Sequence, residues 1–155
     1  MTLELGRLSD RKPPFRYSAL ARVGFSDTDA QGIVYYGRYM PFFDTARVEY
    51  TRHLGLLFHA HAERQFVMRA SSVEYHAPAV FDDLLEVFVR TSRLGRSSVT
   101  TSFAAYRLAD DALMCTAEQT LVLVDLAERR PLAIPEEFRA PVRVFERGNL
   151  EEARP

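Results

Sequence analysis

Cysteine is nearly absent from this sequence, and so are long apolar runs. One cysteine in 155 residues, Cys115, excludes an intrachain disulfide and gives no support for an oxidising compartment. No stretch approaches the roughly 18 apolar residues of a membrane-spanning helix, and the N-terminal residues lack the apolar segment of a signal peptide. We therefore expect a cytoplasmic protein without a membrane partner. Cys115 is expected to be a small buried side chain.

Net charge and nucleotide-binding motifs are also missing. Twenty basic and 21 acidic residues give a net charge of −1, which offers no bulk attraction to nucleic acid. The sequence has no G-x-S-x-G elbow, no Walker loop and no G-x-G-x-x-G, so a serine hydrolase or a nucleotide cofactor is not expected. We expect no cofactor at all.

Apolar content and periodicity predict one domain. With 47% hydrophobic residues, the chain can bury a substantial core. Residues 1–14 are expected to form a flexible leader, 15–145 the domain, and 146–155 a frayed tail. Apolar residues recur at three-and-four spacing from Tyr39, which predicts a helix over 37–54. Alternation and β-branched content predict the strands, at 17–25, 65–76, 84–94, 98–108 and 113–126.

This element order predicts an α+β fold in which an antiparallel sheet of about five strands wraps around one long central helix. The apolar face of that helix is the only long surface that could match the sheet. A single helical turn is predicted after Pro135.

The approach to the helix carries an unusual set of polar residues. Asp27, Asp29 and Gly32 precede a helix start whose unpaired N–H groups hold a partial positive charge. A carboxylate beside such an end, with a glycine that lets a ligand come close, can carry out acyl transfer. Asp29 would be the nucleophile or general base, and the backbone N–H of Tyr36 would bind the oxyanion. The competing interpretation is that both aspartates only cap the helix.

The same stretch resembles the hotdog-fold acyl-CoA thioesterases of the 4-hydroxybenzoyl-CoA thioesterase type, including the YbgC-like branch. The shared order is Asp27-x-Asp29-x-x-Gly32-x-Val34-Tyr35-Tyr36-x-x-Tyr39, with Ala46-Arg47 further on. The resemblance implies a hotdog fold, a catalytic Asp29 and a carbonyl-polarising amide at Tyr36. It also implies that the sheets of two subunits join, with active sites at the interface, and that dimers pair into homotetramers. Coenzyme A would enter only as part of the substrate.

Candidate substrate contacts extend beyond this stretch. Arg96 and Ser97 lie in a predicted hairpin turn, where a guanidinium and a hydroxyl suit a phosphate, and the resemblance places Arg96 against the nucleotide end of CoA. The alternative is a solvated turn. His76, at a predicted strand end, is a candidate for the border of the acyl pocket. The full set of candidate contacts is Val34, Tyr35, Tyr39, His76, Arg96 and Ser97.

Several alternatives remain open from the sequence. His53, His59 and His61 are expected to be solvated and not metal ligands, because a metal site needs precise convergence. A non-catalytic acyl-CoA-binding module and a thioesterase acting on an acyl carrier protein both fit the motif. A hotdog dehydratase is disfavoured, because no histidine stands between Asp27 and Tyr50. Phe66, with Tyr36, Phe42 and Phe43, is a candidate lining for either an aromatic or an aliphatic acyl group.

Overall fold

The computed structural model describes residues 4–57 and 63–153, so the expectation for His59 and His61 lies outside the described residues. Within them the chain forms two α-helices and eight strands. The elements are β1 (Gly6–Leu8), β2 (Tyr17–Arg22), α1 (Tyr39–His53), β3 (Arg64–Tyr75), β4 (Leu84–Leu94), β5 (Ser98–Arg107), β6 (Ala112–Asp125), β7 (Arg130–Pro131), α2 (Glu136–Glu146) and β8 (Glu151–Glu152).

The strands form one sheet in the order β1-β2-β4-β5-β6-β3, with β7 paired to β6 and β8 paired to β4. All pairs along this order are antiparallel, and only β8 runs parallel to its neighbour. The five long strands match the predicted ones to within a few residues. Strand β3 is a long edge strand whose side chains are mostly exposed.

Helix α1 lies across one face of this sheet because its apolar side chains recur on one side. Phe43 and Ala46 are fully buried, and Tyr39 and Tyr50 nearly so. The Phe43 ring lies 4.8 Å from that of Phe103 on β5, measured between centroids. The predicted α+β arrangement, a sheet wrapped around one long helix, is confirmed.

The C-terminal segment is more ordered than predicted. In place of one turn and a frayed tail, α2 continues to Glu146, whose side chain is fully buried. Glu146 Oε1 accepts hydrogen bonds from the Tyr50 hydroxyl at 2.7 Å and the Thr91 backbone N–H at 3.1 Å. Phe138 and Val142 on α2 cover a second apolar cluster. The apolar face of α2 was not recognised in the sequence, because many charged residues stand around it.

The predicted leader also belongs to the sheet in part. Strand β1 pairs with β2, and the following residues cross the outer face. There Glu86, only 1% exposed, accepts hydrogen bonds from Arg7 at 2.9 Å and from Arg11 at 2.7 Å. The expected flexible leader is thus wrong for these residues, because a buried carboxylate on β4 needs the cations that this segment supplies.

Candidate active site

The segment from Thr28 to Val34 is a tight backbone turn. The Asp29 N–H donates to the Ile33 carbonyl at 3.0 Å, and the Gly32 N–H donates to the Asp29 carbonyl at 2.9 Å. Gly32 has a φ of +79°, which glycine adopts without strain, and open space faces the position of a Cβ. A β-bridge between Thr28 and Val34 closes the turn. Local backbone geometry therefore sets the distance between Asp29 and the start of the helix.

One of the two oxygens of the Asp29 carboxylate is hydrogen-bonded. Oδ1 accepts a hydrogen bond from the Gln31 backbone N–H at 2.8 Å. Within the described part of the chain, Oδ2 has no hydrogen-bond partner, and the residue is partly exposed. The Oδ1 bond stabilises the turn and does not cap the helix, since neither the 3-10 turn at Tyr36 nor α1 has a side-chain cap. Oδ2 remains available to a ligand.

Tyr36 opens the 3-10 turn Tyr36–Arg38 that leads directly into α1. As the first residue of the turn it has no intrahelical acceptor, and its N–H makes no hydrogen bond to any described residue. Its carbonyl accepts a hydrogen bond from the Tyr75 hydroxyl at 3.0 Å, which ties the turn to edge strand β3. The turn therefore presents a free donor from a backbone that is held in place on its other side.

The tyrosine rings at this end form an open aromatic surface. The Tyr35 and Tyr36 rings lie 4.1 Å apart, and their residues are 40% and 61% exposed. The pKa of Tyr35 is raised, mainly by a side-chain hydrogen bond with Tyr36 and to a smaller extent by burial and by the nearby charge of Asp29. The Tyr35 phenol is therefore neutral at physiological pH. In the single chain this end of α1 is an open surface.

Asp27 organises the turn through its hydrogen bonds. It is 8% exposed, and its Oδ2 accepts a hydrogen bond from the Gly24 N–H at 2.7 Å. Its Oδ1 accepts two from Arg38, at 3.1 Å from Nε and 2.9 Å from Nη2. Its backbone carbonyl accepts a further one from the Tyr35 N–H at 2.9 Å. Asp27 thus holds the turn around Asp29 together from both ends.

The remaining candidate contacts are scattered. Val34 and Tyr39 are 4% and 3% exposed and belong to the core, and burial raises the pKa of Tyr39 to about 12. This burial gives both side chains a packing role and leaves little surface for a substrate. His76 is exposed, and its Nε2 lies 3.0 Å from Thr116 Oγ1.

Arg96 and Ser97 lie far from Asp29 in the same chain. They sit in the turn between β4 and β5, whereas the turn that holds Asp29 packs near the start of β4, where Val34 donates to the Ala79 carbonyl. Strand β4 has 11 residues. At the rise of an extended strand, its two ends are about 33 Å apart. The Arg96 guanidinium has no ion-pair partner among the described residues. The structure therefore does not bring this pair together with Asp29.

A cavity of about 540 Å³ lies at the other end of α1, beneath α2. Its volume falls within the usual range for small-molecule sites. Polar side chains at Arg47, Arg64 and Glu137 accompany a mainly apolar lining. The apolar residues include Leu56, Phe66, Val99, Leu121, Phe138 and Val142. Of these, sequence reasoning named only Phe66, because α2 had not been recognised as a helix.

Other chemistries receive no support from the described residues. Burial raises the pKa of Cys115 to about 12, so its thiol is protonated at neutral pH and a poor nucleophile. No group of three or more His, Cys, Asp or Glu side chains within residues 4–57 and 63–153 is placed to hold a metal ion. No described helix is long and apolar enough to cross a membrane.

Comparison with known proteins identifies the family. A profile described as the thioesterase-like superfamily matches residues 23–142, which include the Asp29 turn, α1 and four of the five long strands in full. The chain belongs to the thioesterase-like superfamily. This thioesterase-like chain is 41% identical over 122 residues to the acyl-CoA thioester hydrolase YbgC of Escherichia coli O6:H1, a match that covers 77% of this chain and 90% of that one.

Two further relatives agree. The acyl-CoA thioesterase YbgC of Haemophilus influenzae is 34% identical over 127 residues, covering 80% of this chain and 92% of that protein. The crystal structure of a probable thioesterase from Bartonella henselae superposes with a TM-score of 0.67 at 30% identity, covering 76% of this chain and 96% of that one. The predicted family, hotdog fold and enzyme class, a thioester hydrolase, are confirmed.

Proposed function

We propose that this protein hydrolyses acyl-CoA thioesters to a free acid and CoA, with Asp29 as the reacting carboxylate. The supporting observation is the pairing of an unbonded Asp29 Oδ2 with an unbonded Tyr36 N–H across one short turn, among the residues that the structure describes. The names of the relatives from E. coli and H. influenzae support CoA as the thiol.

The chemistry follows from these two groups. The Tyr36 N–H donates to the thioester carbonyl oxygen, where negative charge develops in the transition state. Asp29 either attacks the carbonyl carbon to form an anhydride, which water then hydrolyses, or removes a proton from the attacking water. In both routes the C–S bond breaks, and CoA leaves as a thiol after gaining a proton. The Asp27–Arg38 pair and the Tyr75 hydroxyl hold Asp29 and the Tyr36 N–H in fixed positions relative to each other.

We also propose that the active assembly contains at least a dimer formed through β3. Strand β3 is a twelve-residue edge with mostly exposed side chains, and an unpaired edge of that length readily adds another strand. If two copies of β3 pair antiparallel about a two-fold axis, the partner's sheet runs in the opposite direction to this one. This pairing brings the partner's β4–β5 turn toward the Asp29 end. Arg96 would then be available to a phosphate of CoA bound at the other subunit's site.

The test is CoA release, followed with a thiol reagent, from short-chain, long-chain and aromatic acyl-CoA substrates. We expect Asp29→Asn to lower kcat by about a hundredfold or more, since proton transfer by a placed base contributes that much. The fold should be retained, because the Asn oxygen can still accept the Gln31 N–H.

Asp125→Asn is the matched control for this change. Asp125 Oδ1 also accepts a backbone N–H from the residue two positions on, Ala127, at 2.9 Å. It therefore has the same local role as Asp29 but belongs to a different turn, at the end of β6. Its substitution should leave kcat at the parent value.

Three outcomes would contradict the proposal. Undiminished turnover by Asp29→Asn would remove Asp29 from the chemistry. Tight acyl-CoA binding by the parent protein without CoA release would indicate a non-catalytic binding module. Turnover of an acylated carrier protein with none of acyl-CoA would move the substrate to the carrier, with the same carboxylate.

A further inference from the structure

A row of polar side chains crosses the inner face of the sheet, where the strands are otherwise mainly apolar. Thr91 on β4 pairs with Thr101 on β5, and Thr101 pairs with Gln119 on β6. The three residues are 2%, 2% and 1% exposed, respectively. Both threonines line the 540 Å³ cavity beneath α2. Burying a polar group costs free energy unless it is hydrogen-bonded, so each member of the row needs a partner.

The two ends of the row are held by neighbouring elements. At the β4 end, Glu146 Oε1 accepts a hydrogen bond from the Thr91 backbone N–H at 3.1 Å. At the β6 end, Gln119 Oε1 accepts one from Arg47 Nη1 at 3.2 Å. The Thr101 hydroxyl, in the middle of the row, has no hydrogen-bond partner among the residues that the structure describes. It is a buried donor and acceptor that a molecule in the cavity can satisfy.

Arg47 brings a positive charge to the Gln119 end of the cavity lining. Its guanidinium has five N–H donors, of which the described residues engage two, one with Gln119 and one with Asp44 at 2.9 Å. The Asp44 side chain is 54% exposed, so solvent screens its charge. Because Arg47 and Thr101 both lie beside Gln119, one negatively charged group in the cavity can bind to both.

The wall next to this polar row is apolar. Leu121 and Leu123 follow Gln119 by two and four residues on the same face of β6, so the wall extends about 13 Å from the row. Phe138 and Val142 on α2 also line the cavity. A polar end and an apolar wall of this length suit an elongated apolar molecule that carries one polar group.

Charged side chains follow at the far end of this wall. Arg64 pairs with Asp125 on β6, about 20 Å from Gln119 at the rise of an extended strand. Glu63, next to Arg64 in sequence, and Glu137, in the first turn of α2, bring two negative charges to the same lining. An anionic group is therefore favoured at the Arg47 end of the cavity and not at this one.

We propose that this cavity is a binding site, distinct from the Asp29 site, for a free apolar monocarboxylic acid. The carboxylate binds Arg47 and the Thr101 hydroxyl, and the apolar chain lies against Leu121 and Leu123. A free acid is also what the proposed thioesterase reaction releases. The link between this ligand and the reaction rests on that proposed function, whereas the binding itself does not.

Packed core separates this site from Asp29 within one chain. Cys115 and Ala117 stand between Gln119 and the Asp29 end of β6, and they are 0% and 8% exposed. Neither Asp29 nor Tyr36 is among the described residues that line the cavity. The acid should therefore bind whether or not the Asp29 site is occupied.

The experiment is a calorimetric titration of the full chain with decanoate and, separately, with 1-decanol, which has the same chain without the charge. We expect decanoate to bind about tenfold more tightly or better, because hydrogen bonds to a charged group are the stronger ones. Thr101→Val keeps the shape of threonine without its hydroxyl and should weaken decanoate binding about tenfold. Leu121→Phe fills the cavity and should weaken the binding of both compounds.

Thr100→Val is the matched control for Thr101→Val. Thr100 is the neighbouring residue on β5, and its hydroxyl lies 3.2 Å from that of Thr120 on the outer face of the sheet. Its substitution should leave the decanoate affinity at the parent value. If Leu121→Phe does not fold, Thr101→Val decides the matter, since it leaves the size of the cavity unchanged.

Titration of the Asp29→Asn protein with decanoate, with and without saturating hexanoyl-CoA, separates this inference from the proposed function. Decanoate should bind with the parent affinity in both cases. Displacement by hexanoyl-CoA would overturn the separate site and assign the cavity to the acyl group. No binding to the parent, equal affinity for 1-decanol, or unchanged affinity in folded Thr101→Val would also overturn the inference. Undiminished turnover by Asp29→Asn would overturn the proposed function and leave this site in place.

Discussion

The two ends of α1 differ in how they are built. The Asp29 end is held by backbone hydrogen bonds within a short turn, and its aromatic side chains face outward. The cavity end is held by side chains that come from α2 and four strands, and its lining is mainly apolar. One end is thus specified by local geometry and the other by long-range packing. We expect substitutions at the first end to affect rate, and those at the second to affect stability.

Phe138→Ala, at the cavity end, should have the largest effect on stability. Phe138 is 7% exposed, and its ring lies 5.2 Å from that of Phe66. Its removal enlarges the existing cavity and should lower the free energy of unfolding by about 3 kcal/mol, as core Phe→Ala changes do. Urea unfolding measures this, with Val144→Ala, an exposed apolar residue on the same helix, as the control. A loss equal to that of the control would contradict the packing role of α2.

Gly32→Ala tests the backbone geometry of the Asp29 end. No atom lies within 4 Å of the position that the new methyl group would take, so the effect comes only from the φ of +79°. We expect a loss of about 1 kcal/mol in the free energy of unfolding, again measured in urea. Gly148→Ala, another position with free space and no positive φ, is the matched control. Equal losses in the two variants would show that the turn tolerates a side chain.

Asp27→Asn should lower the free energy of unfolding by less than breaking a fully buried ion pair would. The Arg38 side chain is 43% exposed, so solvent screens the pair. A loss of about 1 kcal/mol or less in the free energy of unfolding is expected. A double-mutant cycle with Arg38→Met isolates the coupling between the two side chains. A fall in kcat as large as that of Asp29→Asn would instead make Asp27 part of the chemistry.

Glu146→Gln should have the smallest effect, and its size depends on pH. Burial raises the pKa of Glu146 above its usual value, while hydrogen bonds from Tyr50 and Thr91 and the charges of Arg90 and Arg16 oppose the shift. A carboxyl with a raised folded-state pKa contributes most stability below its unfolded pKa and loses it as pH rises through the folded one. The stability of the parent relative to Glu146→Gln should therefore fall from about pH 4 to about pH 8. Parallel urea unfolding at both pH values measures the difference, and a rise would contradict the direction.

Sequence patterns predicted the local elements well. Helix α1 and the five long strands follow from three-and-four spacing and from alternation, which depend only on neighbouring residues. The motif around Asp29 indicated the family by resemblance, and the turn that carries it is closed by hydrogen bonds within one short segment. The roles of Asp29 and Tyr36 in the reaction stay predictions.

The predictions that were wrong concern segments whose structure depends on residues far away in the sequence. Residues 6–12 looked like a polar leader, but buried Glu86 on β4 binds Arg7 and Arg11 there. Glu146 looked like part of a charged tail, but it is buried against Tyr50 on α1. In both cases a charged residue is ordered by a partner far away along the chain, which no local pattern contains.

The sequence by itself therefore determined the fold class, because short-range periodicity depends on consecutive residues, and it indicated the family through the resemblance of the motif around Asp29. Only the tertiary structure decided that α2 covers a cavity and that Arg96 lies at the opposite end of the sheet from Asp29. Those features depend on which side chains of separate strands and helices meet, and that is fixed by burial of the whole apolar core.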